Sequence, residues 1–196
     1  MKLQRLLFLF LISFATIGGA WATTVLPLTL DDIVSGSIVA FEGTCTENHT
    51  EHDGQTNLDV TYTTFAVHDV IKGDPGATYT IKQIGGEVPG RELAFNVRGI
   101  PRFTPGEEYV VFLPPASSAG FASPVGLSQG RFTIEREAAA KKVANGRDFR
   151  EMTADIPDTE LSDDVAQHVK GASAPIHNMD IEEFKQLARN RARKQR

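Results

Sequence analysis

The chain has 196 residues, with 20 basic and 25 acidic side chains and a single cysteine. That length suffices for one domain with a real core. One cysteine, Cys45, excludes an internal disulfide framework, and the acidic balance argues against nucleic acid, which needs a basic footprint.

Lys2 and Arg5 precede an apolar run, Leu6 to Ile17, followed by Gly18, Gly19 and Ala20-Trp21-Ala22. Small residues at the first and third places of that triplet fit a signal peptidase. Residues 1–22 therefore read as a cleavable signal peptide, with Thr23 as the mature N-terminus. The apolar run is about a dozen residues, and a spanning helix needs roughly 20. The expectation is an exported protein, periplasmic or secreted. Charge beyond the leader is uneven. Thr23 to Asp180 carries 12 basic against 23 acidic side chains, whereas Ile181 to Arg196 carries six against two. Such a tail meets an anionic surface or folds back onto its own domain.

From Asp32 to Ala144 the signals are strands and turns. Ile33 to Phe41 reads as a strand, and polar Thr44 to Gln55 as an exposed loop. Leu58 to Ile71, rich in β-branched and aromatic residues, is the strongest strand pattern. A turn follows at Lys72 to Gly76, then a strand over Thr78 to Ile84 broken by Gly85-Gly86. Leu93 to Val97 is a further short strand. Tyr109 to Leu113 is apolar on both faces, the pattern of a buried central strand. Arg131 to Glu135 alternates, and Lys141 to Ala144 pairs with it as a hairpin. Residues 151–179 are acidic and polar, interrupted by Pro157, and read as a linker with a short helix at Ser162 to Val169. Asp180 sits as an N-cap before a helix over Ile181 to Lys194, with Glu182 and Glu183 in its first turn and basic residues in its last.

The predicted fold is mostly β: a small OB-like or netrin-like antiparallel barrel of about six to eight strands, with a C-terminal α-helix. The β-barrel domain spans 23–150, the acidic linker 151–179 and the amphipathic helix with its basic end 180–196.

Several short blocks carry a resemblance. They are Asp32-Ile33-Val34-Ser35-Gly36-Ser37-Ile38-Val39, Thr64 to Gly73, Gly85-Gly86, Pro101 to Leu113 and Gly126 to Gly130. In this order they resemble a family of exported bacterial β-domain proteins of unknown function. The layout is also distantly similar to the netrin-like domain of tissue inhibitors of metalloproteinases, which implies an OB-type barrel. Those inhibitors bind the protease zinc through an N-terminal cysteine. Here the mature chain begins Thr23-Thr24-Val25, so inhibition does not carry over.

Three places offer candidate chemistry. Gly126-Leu127-Ser128-Gln129-Gly130 matches G-x-S-x-G, the nucleophile elbow of α/β-hydrolases, which needs a strand-to-helix turn. Asp148 or Asp155 and His168 or His177 follow in triad order, but Arg131 to Glu135 has a strand pattern, so a turn between strands is expected at Ser128. Cys45, Glu47, His49, Glu51, His52 and Asp53 gather ligand types that suit zinc or copper, though in no established spacing; Cys45, His49, His52 and Asp53 are the candidate ligands. Asn48-His49-Thr50 is a sequon, relevant only in a eukaryotic secretory pathway. The third is the C-terminal helix. Phe184 and Leu187 on its apolar face, and Arg189, Arg191, Arg193 and Lys194 at its basic end, are the candidate contacts to a partner or an anionic lipid surface. Dipole complementarity alone also explains cations there.

No acid, base and nucleophile converge. The sequence therefore favours an exported, non-enzymatic binding or interaction module with no cofactor. Its partner would be a protein or other envelope component, with weak membrane-surface contact through the C-terminal helix and no nucleic acid. The alternatives are a small secreted hydrolase using Ser128, or a metal-binding protein using the Cys45 to Asp53 loop.

Overall fold

A computed structural model of the protein describes residues 26–90, 97–137 and 140–195. The expected signal peptide, and all but Val97 of the strand expected at Leu93 to Val97, lie outside these residues.

The first element is a helix, α1 (Leu30–Gly36), where a strand was expected from Ile33. A capping box decides this. Thr29 Oγ1 accepts from the Asp32 amide, and the Asp32 carboxylate accepts from the Thr29 amide. Leu30, Ile33 and Val34 then fall on one helical face and are buried. Lys72 Nζ donates to the carbonyls of Val34 and Ser37, at 2.6 Å each, and satisfies the helix end.

Strand β1 (Val39–Asp53) follows and runs without interruption through the segment expected to be an exposed loop. It pairs along its length with β2 (Leu58–Lys72), so its polar residues sit opposite threonines and aromatics of a partner strand. Cross-strand pairing supplies what local propensity lacks. β3 (Thr78–Ile84), β4 (Glu108–Leu113), β5 (Arg131–Glu137) and β6 (Ala140–Ala144) occupy the expected places. The two-residue β7 (Met179–Asp180) was not anticipated. All pair antiparallel in one sheet of order β3-β2-β1-β4-β5-β6-β7. The mostly-β class with a C-terminal helix is therefore what the structure shows, but the sheet is open, with β3 and β7 as its outer strands. Three irregularities in the β1–β2 register, one beside Ala40, one beside Glu42 and one at Thr46, locally disrupt the ladder and bend the strands.

The sheet separates two cores. On one face Val110, Phe112, Phe132 and Val143 pack under the helices. These are α1, α2 (Phe149–Met152), α3 (Asp163–Val165), with the π-helical turn Ala166–Lys170 that continues it, and α4 (Ile181–Lys194). On the other face Phe41, Cys45, Phe65, Ile81, Tyr109 and Val111 form a second cluster, joined by Phe103 from the loop before β4. β4, apolar on both sides, is central as its sequence pattern requires.

Residues 151–179 were expected to be a linker. Instead Met152, Ile156, Leu161, Val165 and Val169 recur every four or five positions and all are buried in the first core. Their burial overrides the acidic composition of the residues between them. The C-terminal helix has the expected bounds, and the Asp180 side chain accepts from the amides of Glu182 and Glu183.

Candidate functional site

Beyond Phe65 the second core changes character. Along the β1–β2 hairpin its apolar side chains give way to polar ones. Asn48 pairs with Thr63 and Thr50 with Thr61, while Gln83 of β3 lies beside Thr61. With Phe103 these residues line a cleft of about 290 Å³, with Glu87 and Arg102 also on its wall. Thr61, Thr63 and Gln83 are buried although polar, so each must find partners.

Most do. Thr63 donates to Asn48 Oδ1 at 2.8 Å, and Asn48 Nδ2 donates to the Phe103 carbonyl at 2.7 Å. Thr61 donates to the Gly85 carbonyl at 2.6 Å. Its proton being committed there, the 3.2 Å contact with Thr50 is donated by Thr50. Gly86 makes this close approach practicable. It lies at φ +149°, and a Cβ there would come within 2.4 Å of Thr61 Oγ1. Gln83 is 4% exposed; its Nε2 donates to Ser123 Oγ at 3.3 Å, and among the described residues no group donates to its Oε1. The fully buried side-chain polar atom without a partner among the described residues is Arg131 Nε, so Gln83 Oε1 keeps access to solvent and stands as an acceptor open to a ligand.

The residues singled out from sequence are placed elsewhere. Ser128 is exposed on the single turn of 3₁₀ helix Leu127–Gly130, and β5 follows directly, so no strand-to-helix elbow exists. Among the described residues no histidine or carboxylate bonds its hydroxyl. Asp148 is the N-cap of α2 and accepts from the Arg150 and Ile176 amides. The motif's informative residue is Gln129. Its Oε1 accepts from the Leu28 amide at 2.8 Å and from Arg147 at 2.9 Å, and its Nε2 donates to the Leu26 carbonyl at 3.1 Å. Gly126, at φ 59°, makes the turn that presents this clamp to the N-terminal segment. Ser128→Ala is therefore expected to leave ester hydrolysis and the melting temperature unchanged; loss of a measurable esterase rate in a fluorogenic assay would contradict this.

The four candidate metal ligands are strung along β1, where alternation and the irregularity at Thr46 put Cys45 and His52 on one face and His49 and Asp53 on the other. Cys45 is buried in the second core, where burial pushes its thiol pKa up. His49 contacts Glu51 at 3.3 Å. His52 Nδ1 lies 2.8 Å from Asp59. Asp53 pairs with Lys82 at 2.6 Å, and that hydrogen bond holds its carboxyl well below the usual range. His49 and Asp53 are four strand residues apart, about 13 Å. Among the described residues no group of three or more His, Cys, Asp or Glu side chains could hold an ion.

The helix contacts turn inward. Phe184 and Leu187 are buried in the first core. Arg189 binds Asp69 at 2.5 Å, Arg191 bonds Asp31 and Glu160, and Lys194 reaches Glu160 at 2.5 Å. Of the basic residues named, Arg193 alone is exposed without an ion pair among the described residues. The basic tail thus answers the acidic body of its own chain.

Sequence reasoning missed the cleft because its residues come from β1, β2, β3 and the loop before β4. The one local signal was the alternation of Thr61 and Thr63 on a face that elsewhere is apolar. Among the described residues no helix is long and apolar enough to cross a membrane. No family model, no curated protein and no solved structure matches the chain.

Proposed function

We propose that this chain is an exported, non-enzymatic binding module whose ligand seats in the cleft between the β1–β2–β3 hairpin and Phe103. The observation that carries the proposal is the set of polar side chains, Thr50, Thr61, Thr63 and Gln83, gathered on the wall of one cleft, with Gln83 Oε1 accessible and accepting from no group among the described residues. A ligand donor there takes the place of water. Export rests on the leader-like residues 1–22.

The absence of any partner on Ser128 favours binding over hydrolysis. The commitment of Arg189, Arg191 and Lys194 to intrachain carboxylates leaves little of the helix for an envelope surface. A ligand present at 100 times its Kd stabilises a protein by about 2.7 kcal/mol, so binding is visible as a shift in melting temperature. The test is a melting series of residues 23–196 with neutral, cationic and anionic small polar solutes, run in parallel on Gln83→Met. At least one solute should raise the midpoint of the wild type and not that of the variant. Equal shifts in both proteins, or none in either, would remove the cleft as the binding site.

A further inference from the structure

The proton bookkeeping of the cleft restricts what can fill it. Thr61 and Thr63 spend their hydroxyl protons on Gly85 O and Asn48 Oδ1, and Thr50 spends its proton on Thr61. Each of these oxygens has lone pairs left and no proton to offer. Gln83 adds a carbonyl oxygen of the same kind. One wall of the cleft is thus rich in neutral acceptors, beside which the Asn48 and Gln83 amides each keep one uncommitted N–H. It asks for a ligand carrying several donors along one side.

Three classes of small polar ligand are to be weighed. An anion has no donors to spare and would face lone pairs, with Arg102 on the wall offset by Glu87. An ammonium ion has donors, but the charged residues on the wall, Glu87 and Arg102, are one of each sign and both exposed, so the cleft offers a cation no net countercharge. A polyhydroxylated neutral molecule has donors on one side at no charge cost. It also has apolar C–H surface, and Phe103 lines the same cleft. The volume, about 290 Å³, is at the small end of ligand pockets and suits a single ring rather than a long chain.

We infer that the cleft binds one ring of a neutral saccharide, with ring hydroxyls donating to Gln83 Oε1 and to the hydroxyl oxygens of Thr50 and Thr63. This rests on the proposed binding role of the cleft and adds its ligand class.

The experiment is a titration of ¹⁵N-labelled residues 23–196 with cellobiose and with N,N′-diacetylchitobiose. Spermidine, citrate and glycylglycine serve as cationic, anionic and zwitterionic probes. The expected result is saturable movement of the Gln83 and Asn48 side-chain amide signals with a disaccharide. Gln83→Met and Thr50→Val should each weaken that binding about tenfold. Thr50→Val is the safer variant, because Thr50 is only half-buried and its partner Thr61 keeps its bond to Gly85. If spermidine, citrate or glycylglycine moves these signals and the sugars do not, the saccharide class is overturned while the binding cleft stands. If no probe moves them, both are overturned.

Discussion

Replacing Phe184 with alanine is expected to lower stability by about 3–5 kcal/mol, the cost of emptying a large aromatic site in a close-packed core. For a chain of this size that amounts to a fall of roughly 6–20 °C in melting temperature. Phe184 is fully buried, and its ring lies 4.5 Å from that of Phe132, 5.9 Å from Phe149 and 6.1 Å from Phe112, centroid to centroid. It therefore ties α4 to β4, β5 and α2 at one point. Calorimetry distinguishes this from a helix merely appended to a β domain. A single transition, shifted as a whole, is expected. A sheet that melts at the wild-type temperature after α4 has been lost would show the helix to be dispensable.

Lys185 is the second large effect. Its ammonium group is nearly inaccessible and contacts Glu42 at 2.6 Å, Glu182 at 2.7 Å and Asp69 at 2.8 Å. Lys185→Met leaves Glu42 buried, with Lys141 at 3.3 Å as its remaining cation. Breaking a buried pair from one side costs about 3–5 kcal/mol, because the other charge stays desolvated. The double variant with Glu42→Leu removes both charges and is expected to recover more than half of that loss in urea denaturation at pH 7. No recovery would show that the lysine acts by packing alone.

The same network sets a pH dependence. Burial pushes the Asp69 carboxyl up, but hydrogen bonds from Lys185 and Arg189 outweigh it and hold the group below its ordinary value. Its contribution is complete above the ordinary carboxylate range near pH 4 and is lost as pH falls through the lowered folded value. Burial pushes Lys185 down, and the hydrogen bonds to Asp69, Glu182 and Glu42 outweigh it and raise it. That contribution is complete below the ordinary lysine range near pH 10 and is lost above it. The grip of α4 on the sheet is therefore firmest across the neutral range.

How much of this was legible in sequence depended on whether a residue's partner is local. β4 and α4 were legible because five apolar residues in a row, or an Asp180 cap before a spaced apolar face, declare themselves within one window. α1 was obscured because Ile33-Val34 suggests a strand, while the capping box that decides it, Thr29 with Asp32, lies at the edge of that window. The distal half of β1 was illegible because Glu47 to His52 owe their extended form to Thr64 to Asp59 across the hairpin. In residues 151–179 the apolar spacing was present, but Pro157 and the surrounding carboxylates masked it. The cleft was least accessible, since Asn48, Thr61, Gln83 and Phe103 meet only once the register is set.

The polar end of the second core is the proposed binding site. It is tested most directly by following the Gln83 side-chain amide in ¹⁵N correlation spectra while small polar solutes are added to residues 23–196. The expected result is a saturable shift of that signal, together with those of Asn48 and the Thr61 and Thr63 amides. Shifts confined to residues outside the cleft, or no shift with any solute, would contradict it.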